Sequence, residues 1–183
     1  MYLADLVDVR QVGSARHSQA VGRNAAAVGV GMGLGLDDVD RLRLAGTLHD
    51  VGKIAVRGSI LAKPGPLTEE EMDEIRIHPE VGARIVRNAG LNDIAAWVLA
   101  HHERPDGCGY PNRLAGAEIP LQALILAVAD AYDAMTDDRG YRSAMSSERA
   151  RQELLLNAGA QFDPLVVECF CSIVGWSTER STA

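Results

Sequence analysis

The stretch DDVDRLRLAGTLHDVGK, residues 37–53, places a predicted helix directly before an adjacent histidine and aspartate. Asp37 belongs to the residue types that cap helix N-termini, and it stands just before the repeating apolar pattern. We therefore expect a helix that begins at Asp37 and ends beside His49 and Asp50. Its buried face repeats every three residues, as on one side of an amphipathic helix: Val39, Leu42, Ala45 and Leu48.

The same helical period recurs through most of the chain, and no sustained two-residue alternation of the kind typical of a β-sheet is found. Thr68 followed by Glu71 forms a capping box that predicts another helix start, and this helix runs toward Pro79, which kinks or ends it. Asp163 and Pro164 begin a last helix, with Gly175 as its expected C-cap. The sequence therefore predicts an all-α fold.

Length and composition limit the classes of protein that the chain can form. The 183 residues suit a single domain over 1–183, and the net charge of −7 disfavours a nucleic-acid scaffold as partner. The longest apolar stretch, residues 121–129, is too short for a membrane span. Acidic residues replace the basic start of a secretory signal, and the three cysteines form no disulfide framework, so we expect a cytoplasmic protein.

The five histidines of the chain stand in positions that suit metal ligands. His101 closes the buried face of a predicted helix that begins near Asn92, and it is followed by His102. Singly, each histidine is better explained as a hydrogen-bonded core residue or a surface side chain. Together, burying such groups without a shared cation would cost several kcal/mol, so we favour a metal site within a helical bundle. The residues concerned are His17, His49, Asp50, His78, His101, His102 and Asp130.

Six sequence blocks resemble those of the HD-GYP phosphodiesterases, a branch of the HD metal-dependent phosphohydrolases. They occur in the family's order over roughly positions 13 to 170. The blocks are HDVGK at 49–53, HPEVG at 78–82, HHERPDGCGYP at 101–111, ADAYDAMT at 129–136, DRGYR at 138–142 and QFDP at 161–164. The resemblance implies an HD-type helical bundle with a metal centre in its core, and hydrolysis of cyclic di-GMP to pGpG and, after a second cleavage, to GMP.

By the same resemblance, two divalent ions share Asp50 as a bridging ligand. One ion takes His17, His49, Asp50 and Asp130, and the other takes Asp50, His78, His101 and His102. Imidazole and carboxylate ligands suit Fe, Mn, Zn or Co, with Fe or Mn preferred here. Some family members bind a third ion through a glutamate that corresponds to Gly13, so we expect two ions in this chain.

The resemblance also points to residues that meet the substrate. Asp50 and Lys53 are the catalytic candidates, because Lys53 can place an ammonium on a phosphate oxygen; the alternative is a solvated loop lysine. Asp133 lies on the helical face of Asp130 and orients substrate, water or a ligand, unless it is a surface acid. The expected substrate residues are Lys53, Tyr110, Asp133, Arg139 and Arg142.

Two rival functions and two further partners stay open at this point. The chain could act on another nucleotide, or it could be a non-catalytic signalling module that retains metal. In the second case the loop Gly109-Tyr110-Pro111 binds a protein partner, since Tyr110 can face a substrate, face a partner or anchor the loop. A homodimer is a further alternative. A cyclic dinucleotide is the expected substrate.

Overall fold

The all-α prediction is confirmed by the structure, a computed structural model that describes residues 14–137 and 144–179. Within these ranges the backbone forms helices and no β-sheet, with one isolated bridge between Ala158 and Phe162. Two 3₁₀ helices span Val51–Ala55 and Gly116–Glu118. The α-helices are α1 Ser14–Gly31, α2 Leu36–Leu48, α3 Gly58–Leu61, α4 Glu69–Arg76, α5 His78–Asn88, α6 Asn92–Ala100, α7 Leu121–Thr136, α8 Ser147–Leu156 and α9 Pro164–Glu179.

The start of α2 differs from the prediction that Asp37 caps it. Gly35 is the N-cap, with an extended backbone (φ −63°, ψ 155°), and no side chain caps the helix. Asp37 and Asp38 instead lie in the first turn, where their carboxylates interact favourably with the positive end of the helix dipole. Aspartate suits both places, so the residue type alone did not distinguish them. The predicted face is confirmed, with Val39, Leu42 and Ala45 buried and Leu48 packed beside the core.

The capping box at α4 is confirmed. The Glu71 backbone N–H donates to Thr68 Oγ1 at 3.3 Å, and Glu71 Oε2 accepts the Thr68 N–H at 2.8 Å. Helix α4 ends at Arg76, and Pro79 lies in the first turn of α5. Proline fits there because the first-turn N–H groups have no partner within the helix. The proline therefore separates two helices, which places His78 at the start of α5.

The last helix begins as expected and ends later than expected. Asp163 Oδ1 accepts the N–H groups of Leu165 and Val166, both at 3.0 Å, which confirms Asp163 as the N-cap. The prediction of Gly175 as C-cap is wrong, because α9 continues to Glu179. Glycine ends a helix where the backbone turns left-handed; elsewhere it only lowers helix stability by about 1 kcal/mol.

Helix α7 lies at the centre of the bundle and packs against α1, α2, α6, α8 and α9. Its apolar residues are buried along nearly their whole run, including Ala123, Ile125 and Ala129. Asp130 follows this apolar segment directly and is half-buried at the edge of the core. In the chain as described, no helix is both long enough and apolar enough to cross a membrane. The single domain over 1–183 stays a prediction.

Candidate metal centre

The structure brings the predicted metal ligands together from helices far apart in sequence. His17 projects from α1, His49 and Asp50 follow α2, and His78 opens α5. His101 and His102 follow α6, and Asp130 lies on α7. Neighbouring imidazole rings have centroids 4.0–5.4 Å apart along the series His17, His49, His101, His102 and His78. Residues of α1, α5 and α7, and of the segments that follow α2 and α6, therefore share one centre, in which His102 and Asp130 are half-buried and the others are buried.

Three of these histidines are oriented in the same way by the backbone. In each ring Nδ1 contacts a carbonyl oxygen three residues earlier. A carbonyl can only accept, so Nδ1 carries a proton, and the neutral form of each ring offers the lone pair of Nε2. This arrangement positions metal-ligating histidines and selects their tautomer. The pairs are His49 with Gly46 at 2.7 Å, His78 with Ile75 at 2.7 Å and His101 with Val98 at 2.6 Å.

The ligand atoms form two groups with Asp50 between them. His78, His101 and His102 offer atoms within 4.8 Å of one another, as do His17, His49 and Asp50. One oxygen of Asp50, Oδ2, lies 3.4 Å from His49 Nε2, and the other, Oδ1, lies 3.4 Å from His78 Nε2. Each oxygen of a single carboxylate thus faces a different group, which is the geometry of a bridging ligand.

Asp130 and Asp133 complete the group that contains His17. Asp130 Oδ1 lies 3.2 Å from His17 Nε2 and 3.7 Å from His49 Nε2. His17 Nδ1 donates to Asp133 Oδ2 at 2.6 Å. This carboxylate therefore orients the His17 ring, as backbone carbonyls orient His49, His78 and His101. The contact fits the predicted role of Asp133 in orienting a ligand.

Burial and neighbouring charges separate the pKa values of these histidines. Burial lowers the pKa of His78 to about 4 and that of His102 to about 3, and it lowers the pKa of His101 as well. Burial also acts on His17, but hydrogen bonds with Asp130 and Asp133 outweigh it and raise the pKa to about 9. The His78 group is therefore neutral at pH 7, whereas His17 is protonated until a cation replaces its proton.

The residues fit divalent cations. His49 Nε2 is buried, has no hydrogen-bond partner among the described residues and lies 3.4 Å from an oxygen of Asp50. Burial would lower the pKa of His49, but the neighbouring Asp50 carboxylate outweighs it and raises that pKa. A buried imidazole nitrogen beside a carboxylate is favourable only where a proton or a metal cation lies between them. Imidazole nitrogen and carboxylate oxygen are ligands that divalent transition metals accept.

Lys53 and Gly52 lie at the base of this centre. Lys53 Nζ donates to Asp50 Oδ2 at 2.5 Å, and together with His49 it holds the pKa of that buried carboxyl well below its usual range despite burial, which would raise it. Gly52 touches the start of α5: a Cβ atom there would lie 1.9 Å from the carbonyl oxygen of His78. Only glycine allows the 3₁₀ helix and α5 to come this close.

A cleft of about 1050 Å³ opens beside the ligands and has His101, His102 and Asp130 in its wall. Its volume is at the upper end of the range for small-molecule sites. Tyr110 also lines it and stacks on His102, with ring centroids 4.8 Å apart and planes 26° apart. The loop that carries Tyr110 therefore forms one side of a site whose other side is the metal centre.

Glu103 and Arg113 line this cleft, and the sequence analysis did not single out either residue. Glu103 directly follows the two adjacent histidines, which was the available signal for it. Arg113 has a left-handed backbone conformation, with a φ of +56°, which its residue type does not indicate. Arg139, Arg142 and Gly13 lie outside the described residues, so the predictions about them are untested.

Comparison with known proteins agrees with this geometry. The model of a family described as HD domain matches residues 2–166. The cyclic di-GMP phosphodiesterase response regulator RpfG of Xanthomonas campestris is 38% identical over 169 residues, 91% of this chain and 45% of that protein. The 3′3′-cGAMP-specific phosphodiesterase 2 of Vibrio cholerae is 38% identical over 169 residues, 91% of this chain and 32% of that protein.

A solved structure has the same fold. Bd1817, a HDG"Y"P protein from Bdellovibrio bacteriovorus, superposes with a TM-score of 0.72 at 18% identity, over 88% of this chain and 52% of that one. The chain spans less than half the length of the two curated relatives, 45% and 32%. The family match covers most of the chain, and the sequence blocks at 49–53, 78–82, 101–111 and 129–136 converge on one centre. The chain therefore belongs to the HD domain family, in the branch that carries the HD-GYP motifs.

Proposed function

We propose that the protein is a metal-dependent phosphodiesterase that hydrolyses cyclic di-GMP to pGpG and, more slowly, to GMP. The observation that carries this proposal is the position of Asp50, whose two oxygens face different ligand groups beside the 1050 Å³ cleft. Two divalent ions held there would supply Lewis-acid activation of water and of a phosphodiester. Their ligands would be His17, His49, Asp50 and Asp130 for one ion and Asp50, His78, His101 and His102 for the other.

The chain's own residues would orient the substrate and keep the centre in order. Backbone carbonyls and Asp133 hold four of the five imidazoles through Nδ1, which leaves Nε2 as the atom that would face the ions. Lys53 contacts Asp50 and can donate from its remaining ammonium hydrogens to a phosphate oxygen. Tyr110, stacked on His102, offers an aromatic surface at the edge of the cleft. The proposed phosphate-binding roles of Arg139 and Arg142 rest on their motif alone.

The choice of cyclic di-GMP rests on the relatives, one of which is named for cyclic di-GMP and another for 3′3′-cGAMP. A cyclic GMP-AMP is therefore the second candidate substrate. Fe or Mn is the proposed metal, ahead of Zn or Co; mixed imidazole and carboxylate ligands suit all four ions. A cytoplasmic location, a protein partner at the loop of Tyr110 and a homodimer stay predictions.

The test is turnover of a substrate panel by protein loaded with Mn²⁺ or Fe²⁺. Cyclic di-GMP, 3′3′-cGAMP, cyclic di-AMP and pGpG would be incubated separately and their products separated by chromatography. We expect cyclic di-GMP to give pGpG first and GMP later. Asp37→Ala, which removes one exposed acid from α2, should behave as the wild type. Faster turnover of 3′3′-cGAMP would assign the second substrate; metal loading without any hydrolysis would favour the non-catalytic module.

A further inference from the structure

Arg113 has the backbone conformation least expected of its residue type. Its φ is +56°, and it is the one non-glycine residue with positive φ in the ranges 14–137 and 144–179. Left-handed backbone is unfavourable for residues with a Cβ atom and persists only where the surrounding structure imposes it. Something in the loop must therefore hold Arg113 in place.

The buried carboxylate of Glu103 holds the backbone on both sides of Arg113. Glu103 is only 2% exposed. Its Oε1 accepts the N–H of Asn112 at 2.7 Å, and its Oε2 accepts the N–H of Leu114 at 3.0 Å. Both oxygens of one carboxylate thus bind the two residues that flank Arg113. Because a buried carboxylate needs such donors, the clamp defines the position of the residue between them.

The guanidinium of Arg113 differs from those of the other two arginines that line the cleft. Arg104 forms a two-point contact with Asp106, at 3.0 Å and 2.5 Å, and Arg76 bonds to Asp73 at 2.7 Å. Arg113 is exposed and has no carboxylate partner in the portion of the chain that the structure describes. Its charge is therefore available to a ligand in the cleft, whereas the other two are largely neutralised by their partners.

We infer that Arg113 binds the second phosphate of a cyclic dinucleotide whose first phosphate lies at the metal centre. This inference rests on the proposed function. A cyclic dinucleotide carries two phosphodiester groups on one ring, so a ligand anchored at the metals presents its other anion elsewhere in the cleft. An unpaired guanidinium suits a phosphate because it can form two parallel hydrogen bonds to it. Glu103 is the positioning residue for this contact, since it touches only the loop.

The experiment compares ligands with one and two phosphates. Bis(p-nitrophenyl) phosphate has a single phosphodiester and reports on the metal centre, and cyclic dinucleotides added as competitors report on binding through their inhibition constants. Arg113→Gly is the main variant, because glycine adopts positive φ without strain. Arg113→Lys tests partial rescue by charge. Arg87→Ala, on the exposed end of α5 and outside the cleft lining, controls for the loss of one positive charge.

We expect Arg113→Gly to hydrolyse bis(p-nitrophenyl) phosphate at the wild-type rate, with an unchanged or higher Tm. Its inhibition constants for cyclic di-GMP and cyclic di-AMP should both rise about 10- to 100-fold, the range for one charge-assisted contact. Arg113→Lys should fall in between, and Arg87→Ala should match the wild type. Glu103→Gln, which disturbs the clamp, should raise the same constants without changing the metal content.

Three results would overturn the inference. Unchanged inhibition constants would show that Arg113 contacts no ligand. An equal loss in the hydrolysis of bis(p-nitrophenyl) phosphate would place the effect of Arg113 at the metal centre. A loss of affinity confined to cyclic di-GMP would show that Arg113 recognises guanine. Because the inhibition constant of a cyclic dinucleotide is measured separately from hydrolysis of that dinucleotide, a cyclic dinucleotide that binds through Arg113 but is not hydrolysed would refute the proposed function alone. A wild-type protein that hydrolyses the probe but is inhibited by no cyclic dinucleotide would refute both.

Discussion

Gly52 lies directly against the backbone of His78, and a Cβ atom at Gly52 would be 1.9 Å from the His78 carbonyl oxygen. The contact joins the 3₁₀ helix that follows Asp50 to the first residue of α5. Two segments that carry proposed metal ligands therefore touch backbone to backbone. The spacing of Asp50 and His78 across the centre depends on this contact. It follows that the glycine supports the metal site as well as the local turn.

Replacing this glycine should therefore damage stability and metal binding together. We expect Gly52→Ala to push α5 away, to destabilise the fold by about 1–3 kcal/mol, as overpacking does, and to weaken metal binding. Urea unfolding and metal analysis would measure both effects. Gly58→Ala is the control, because a Cβ atom there meets nothing within 4 Å. Wild-type metal content in Gly52→Ala would show that the contact does not position His78.

Removing Asp50 should empty both proposed ion sites. One carboxylate faces the His49 group with one oxygen and the His78 group with the other. We expect Asp50→Ala to lose both ions and all hydrolysis while circular dichroism shows most of the helix content retained. Elemental analysis of the wild type should give two ions per chain. Full metal occupancy in the variant, or three ions in the wild type, would contradict the assigned ligand sets.

Asp133 offers a graded test of the group that contains His17. Its carboxylate accepts the Nδ1–H of His17 at 2.6 Å and so orients that ring. Hydrogen-bond partners of metal-ligating histidines change metal affinity by about 10- to 100-fold. We therefore expect Asp133→Ala to weaken binding of the ion at His17 by that factor. Asp133→Asn, which keeps a hydrogen-bond acceptor, should lose less metal affinity. Chelator competition would measure both; equal weakening of the two ions would argue against a local role.

The two ion sites should respond differently to pH. His17 has its pKa raised to about 9, so a cation must displace its proton at neutral pH, and affinity at that site should fall up to tenfold per unit as pH drops below 9. His78 and His102, with pKa values lowered to about 4 and about 3, stay neutral, so binding there should change little between pH 6 and 8.

Calorimetry in buffers with different ionisation enthalpies measures this difference directly. We expect net proton release for the ion at His17 and His49, whose pKa values are both raised, and close to none for the ion at His78, whose pKa is lowered. Metal-loaded protein at pH 6 should then retain the ion at His78 more firmly than the ion at His17. Equal proton release at both sites would show that His17 is neutral before the metal binds.

The sequence by itself determined the helical class, the principal helices and the residues of the candidate centre. Apolar periodicity reports which face of a helix is buried, and the Thr68 capping box reports a bond within a few residues, so both can be predicted without knowledge of the fold. The motifs likewise named His17, His49, Asp50, His78, His101, His102 and Asp130, which the structure places together. The predictions of Asp37 as an N-cap and Gly175 as a C-cap were wrong, because aspartate and glycine are compatible with more than one position in a helix.

Only the tertiary structure decided which atoms of these residues meet. The division of the two Asp50 oxygens between ligand groups depends on how α2 and α5 pack, and no local pattern encodes that distance. The clamp of Glu103 on the backbone around Arg113, and the lack of a described carboxylate partner for that guanidinium, depend on the path of the loop in space. Hydrogen bonds between distant segments form only where packing places donor beside acceptor, so they are properties of the fold.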